Sequence, residues 1–171
     1  MTRQFVFGVF LVAVLAVPAG ARAQGVVDRT LSTVNGQVIL QSDIRQIRLL
    51  KLLKTAGSTD DAIQFELENR ILMLGELGRT TGEPTGEEKA ARRRAWEASL
   101  GGGPAVAARL AEAGMSEAGL DAWLRDDVRL EKYLNQRFGN SPDPAGAIAT
   151  WVQGLRRRAG LPVKGVQRIG F

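Results

Sequence analysis

Apolar and polar positions change period along the chain, and the changes mark its elements. From Val26 to Val34 the pattern is short, β-branched and partly alternating, with Val27, Leu31, Thr33 and Val34. Asn35-Gly36 follows, then Gln37-Val38-Ile39-Leu40. Asn-Gly between two such runs predicts a β-hairpin, because both central residues of a type I′ turn need positive φ. After Leu40 the period becomes helical. Ser42-Asp43 predicts an N-cap for a helix over about 43–55, with Ile44, Ile47 and Leu50 on one face and Gly57 as its stop.

Four further helices read in the same way, and a short one lies among them. Thr59-Asp60-Asp61 caps a helix over about 60–79, in which Ile63, Leu67, Ile71 and Leu74 form an amphipathic seam. Gly82-Glu83-Pro84 breaks the chain. Thr85 with Glu88 is a capping box for a third helix over about 86–100, rich in Ala and Arg and anchored by Trp96. A short fourth helix, about 105–113, carries Val106 and Leu110 and closes at Gly114. Ser116 caps the fifth, which runs to Phe138 with a broad apolar face of Leu120, Trp123, Leu124, Val128, Leu130 and Leu134. The sixth, about 143–158, carries Ile148, Trp151, Val152 and Leu155 and is expected to dock back onto the 26–138 body. Residues 161–166 are proline-broken and predict a short edge strand beside the hairpin. The fold class expected is mostly α: about six helices in an irregular bundle with a small N-terminal β-hairpin, joined by that short C-terminal strand.

The first 23 residues follow a different logic. Arg3 precedes an uncharged run from Phe5 to Val17, and Ala21-Arg22-Ala23 is a small-x-small site. This order predicts a secretory signal peptide cleaved after Ala23. The 13-residue apolar run is shorter than the roughly 20 residues of a spanning helix. The expected mature chain, 24–171, is one domain with no stable membrane anchor. It is placed in the periplasm.

Composition then removes classes of chemistry. The leader takes Arg3 and Arg22 with it, so 23 Lys+Arg against 18 Asp+Glu become 21 against 18, a net +3. A mildly basic exported protein does not call for a nucleic-acid partner. There is no Cys and no His, which excludes thiol nucleophiles, His-based triads and most transition-metal sites. Gly101-Gly102-Gly103 follows a helix, whereas a phosphate loop follows a strand, so it reads as a plain loop. Arg92-Arg93-Arg94 and Arg156-Arg157-Arg158 read as solvated surface runs, since three consecutive helical residues point three ways. Glu87-Glu88 and Asp126-Asp127 are adjacent on helices and do not face one another, so they make poor acid–base pairs. No catalytic residue, metal ligand or cofactor is expected. Trp123 and Trp151 read as core anchors. Trp96 and Met115, each at the edge of a less apolar segment, are the candidates for lining a peptide-binding groove.

The stretch Val34-Asn35-Gly36-Gln37-Val38-Ile39-Leu40-Gln41-Ser42-Asp43-Ile44, close behind a signal peptide, resembles the opening of SurA-type periplasmic chaperones and related foldases. The helix starting at Thr85-Gly86-Glu87-Glu88 and the Gly114-Met115-Ser116-Glu117 lead into Leu120, Leu124, Leu130 and Leu134 fit the rest of that N-terminal chaperone domain, over about 26–138. Ile148-Ala149-Thr150-Trp151-Val152 looks like the family's returning C-terminal helix. The resemblance implies ATP-independent binding of unfolded or extended polypeptides, outer-membrane proteins above all. Many family members also carry a parvulin prolyl-isomerase domain. Here Phe138 runs almost directly into the last helix, so that domain has no room and its activity is not carried over. The alternatives are a non-chaperone periplasmic adaptor or dimerisation module, with homodimers as its form, and a peptidyl-prolyl isomerase.

Overall fold

A computed structural model describes residues 28–77, 82–102 and 104–163. The leader, its cleavage after Ala23 and residues 164–166 of the expected edge strand lie outside the described residues. Two strands, β1 (Thr30–Val34) and β2 (Gln37–Leu40), pair antiparallel. Six helices follow: α1 (Gln41–Leu50), α2 (Asp60–Glu76), α3 (Gly86–Ser99), α4 (Pro104–Ala113), α5 (Glu117–Phe138) and α6 (Pro144–Arg158).

The hairpin forms for the reason its turn residues suggest. Asn35 and Gly36 have φ of 50° and 79°, the left-handed pair that a type I′ turn requires. Val34 and Ile39 point inward and are buried, while Val38 faces out at 47 % exposure. The register slips between Thr30 and Ser32, a bulge that ends the regular ladder. Among the described residues the sheet stays two-stranded, and residues 161–163 follow α6 without pairing to it.

Helix α1 starts and stops differently from expectation. It begins at Gln41, immediately after β2, so Asp43 is its third residue and accepts a hydrogen bond from the Leu40 amide at 2.8 Å. Ser42 instead binds Asp28 through its amide, at 3.1 Å, and its hydroxyl. The helix ends at Leu50, because Lys51 turns left-handed at φ 49°. Residues Lys54–Gly57 then form a single 3₁₀ turn rather than a continuation.

Helix α2 is the centre of the bundle, packing against α1, the hairpin, α5 and α6. Between Leu67 and Met73 every side chain is buried, including Glu68, Asn69 and Arg70. A helix buried on all sides has no solvated face for its polar residues, so these must find partners inside. Helix α4 covers α1, and α3 lies along α5. Helix α6 docks as expected, with Ile148, Val152 and Leu155 buried. Trp151 is only half-buried, packed at the rim against Tyr133 and Phe138.

Candidate functional site

Trp96 and Met115 occupy different places. Trp96 is 6 % exposed, and its indole N–H donates to the Leu50 carbonyl at 2.8 Å. The last carbonyls of a helix lack intrahelical donors. Lys51 breaks α1 at that point, and Trp96 of α3 supplies one. Trp96 is therefore a core anchor with a satisfied polar edge, not the wall of an open groove. Met115 is half-buried beyond the end of α4. Gly114 sits at φ 67° and the Met115 amide reaches back to the Leu110 carbonyl at 3.0 Å. This turn presses Met115 onto the start of α5, where its Cγ lies against Gly119.

An open cleft of about 880 Å³ lies where α1 turns into α2, lined by Arg48, Lys51, Leu53, Lys54 and residues 56–60. Two of its cations are engaged. Arg48 pairs with Asp60 at 2.8 Å and donates to the Ser58 carbonyl at 2.7 Å, and Lys51 donates to the Ser99 carbonyl at 3.2 Å. The cleft thus ties the end of α1 to its neighbours.

A second surface carries more apolar character. Tyr133, Phe138 and Trp151 form a half-buried aromatic cluster where α5 meets α6, with ring centroids 5.7 and 5.5 Å from Trp151. Arg137 lies 5.2–5.8 Å from all three rings and donates to the Tyr133 hydroxyl at 2.6 Å. Tyr133 and Arg137 are four apart on α5, the spacing that could have revealed the pair in the sequence.

The interior holds the charges that sequence reading placed outside. Arg156 is 2 % exposed, although Arg157 and Arg158 are solvated. Its guanidinium donates to Glu68 at 2.8 Å, Asn69 at 2.8 Å and the Pro162 carbonyl at 2.7 Å, and stacks 4.1 Å from the Phe65 ring. Position 156 continues the buried stripe of Ile148 and Val152 at helical spacing, so the inward direction was legible. Arg70, also buried, pairs with Asp127, donates to the Trp123 carbonyl at 3.0 Å and stacks 3.9 Å from that indole ring. The two arginines fasten α6 and α5 to α2.

Burial and pairing act on these carboxylates in opposite senses. Burial pushes Glu68 up, but hydrogen bonds from Gln64 and Arg156 outweigh it, and its pKa falls below the ordinary value. At Asp127 burial wins over Arg70 and the pKa rises. Glu66 is also raised, by burial, with Arg156 opposing.

Among the described residues the α3–α5 interface is the most charged. Arg92 pairs with Glu131, Arg93 with Glu117 at 2.9 Å and Asp121 at 3.2 Å, and Lys132 with Glu88 at 2.9 Å. Both Arg92 and Arg93 thus face α5, which sequence reading did not anticipate for a solvated run. Hydrogen bonds from Lys132 and the Thr85 amide hold the Glu88 pKa below its ordinary value. Among the described residues there is no cluster of three or more His, Cys, Asp or Glu suited to a metal, and no helix is long and apolar enough to cross a membrane. No family model, curated protein or solved structure matches the chain.

Proposed function

We propose that this protein is an exported, periplasmic, ATP-independent holding chaperone that binds unfolded polypeptide segments, those of outer-membrane β-barrel proteins among them, and has no isomerase activity. The observation that carries the reading is the hairpin that runs straight into α1. Its Asn35-Gly36 turn, its buried Val34 and Ile39 and the Leu40–Gln41 junction fall on the residues that resemble the SurA-type opening. Unfolded barrel strands alternate apolar and polar residues and are rich in exposed aromatics. Half-buried adaptable side chains suit such clients, because Met and aromatic residues repack around varied shapes with little geometric precision. Met115 and the Tyr133–Phe138–Trp151 cluster offer that chemistry, whereas Trp96 is committed to α1.

A second reading, a periplasmic adaptor or dimerisation module, draws on one observation: among the described large hydrophobic residues only Val38 and Val163 are exposed, at 47 % and 42 %. Light scattering separates the two. A denatured outer-membrane barrel protein, diluted into buffer without nucleotide, should aggregate more slowly when the mature protein is present in several-fold molar excess. Unaltered aggregation leaves the adaptor as the better reading.

A further inference from the structure

Helix α3 is held unlike any other helix of the bundle. Of its fourteen residues only Trp96 is buried, whereas α2 buries eight of seventeen. From Gly86 to Ala95 no side chain is buried at all. That segment meets α5 through the pairs of Glu88, Arg92 and Arg93, whose partners are at least 42 % exposed. Exposed ion pairs are weak and are screened by salt. The Trp96 end is fixed by the Leu50 carbonyl and by Lys51 on the Ser99 carbonyl.

The stripe on α5 that α3 meets is not polar throughout. Glu117, Asp121, Leu124, Val128 and Glu131 follow one another at steps of four, three, four and three, which places them on one helical face. Leu124 and Val128 are buried, at 4 % and 8 %, between the carboxylates. What α3 contributes to this face is Arg92 and Arg93 on its carboxylates and Glu88 on Lys132, while the indole of Trp96 is spent on the Leu50 carbonyl of α1.

We propose that residues 86–95 are a displaceable cover, occupying the α5 stripe in place of a client segment that carries Arg or Lys beside an apolar side chain. This rests on the holding-chaperone reading and gives it a binding surface. The occupant follows from charge complementarity. A segment that replaces α3 must neutralise Glu117, Asp121 and Glu131 and bring an apolar group to Leu124 and Val128. Docking then exchanges one set of weak pairs for another, so the segment is held reversibly without nucleotide.

The test uses the full chain and, as probe, a labelled synthetic peptide with the sequence of residues 86–99. Hydrogen exchange comes first. Raising NaCl from about 0.1 M to about 1 M shortens the screening length from roughly 10 Å to roughly 3 Å. The amides of α3 should then lose protection while those of α2 keep theirs. The chain carrying Arg92→Glu and Arg93→Glu should bind the probe at least several-fold more tightly than the unsubstituted chain. The same peptide with both arginines replaced by Glu should bind neither. Protection of α3 that does not change with salt, or equal probe affinity for the two chains, overturns the proposal. If the opened chain takes up the probe but no form of the protein holds an unfolded barrel protein, the chaperone reading fails and the cover stands.

Discussion

At the residue scale, a side chain's role is decided by what its neighbours leave unsatisfied. Trp96 is buried because α1 ends one residue before a left-handed Lys51 and exposes the Leu50 carbonyl. That break carries no Gly or Pro at the break itself, so the helix read as running on to about 55. Arg156 shows the opposite case, where a run of three arginines hid one inward member that simple spacing from Val152 identifies. Glu66 differs from both. It is half-buried, and burial lifts its pKa while Arg156 offsets only part of the effect. A carboxyl raised in the folded state contributes stability below its unfolded pKa, about 4.3, and that contribution is lost as pH rises through the folded value. Glu66→Gln should therefore raise the denaturant midpoint at neutral pH, with the gain vanishing at about pH 3. A midpoint lowered at neutral pH contradicts this account of Glu66.

At the element scale, the boundaries most legible in the sequence are those with a local chemical device. Thr85 and Glu88 cap one another as a box, Ser116 caps α5 and Asp143 caps α6 with Pro144 behind it. The hairpin was legible from Asn35-Gly36. The N-terminus of α1 was not, because Asp28, far back along the chain, takes the hydroxyl of Ser42 while Asp43 accepts from the Leu40 amide as the third helical residue, so the helix starts two residues earlier than its capping pair suggests. The docking of α6 was legible from Ile148, Val152 and Leu155, but its strongest polar tie was not. This ranks two substitutions. Arg156→Met leaves Glu68 buried without its cation and should cost roughly 3–5 kcal/mol. Trp151→Ala removes a rim side chain, half-solvated in the native state, and should cost less than the roughly 3–5 kcal/mol of a fully buried Trp. Chemical denaturation of both variants checks the order. A larger loss at Trp151 than at Arg156 means that the aromatic rim, not the buried ion pair, holds α6.

At the scale of the whole molecule, α1, α5, α6 and the hairpin close around α2, with α4 laid on α1 and α3 on α5, and the sequence pattern carried that architecture almost entire. The candidate site was far less legible. Periodicity reports which face of a helix is apolar, but it cannot say whether a neighbour covers that face. Trp96, at the edge of a less apolar segment, reads from the sequence as a groove residue, and the arginine run that makes the charged contact between α3 and α5 reads as solvent-facing. The proposed function depends on surfaces of this kind. Met115 and the Tyr133–Phe138–Trp151 rim are half-open in the closed bundle, and the α5 stripe opens only when α3 lifts. The most direct measurement of the central claim is equilibrium binding by fluorescence anisotropy, with a labelled outer-membrane β-barrel protein presented unfolded in one series and folded in detergent in the other. The account predicts saturable binding of the unfolded form without nucleotide and none of the folded form. Equal binding of both forms, or binding of neither, contradicts it.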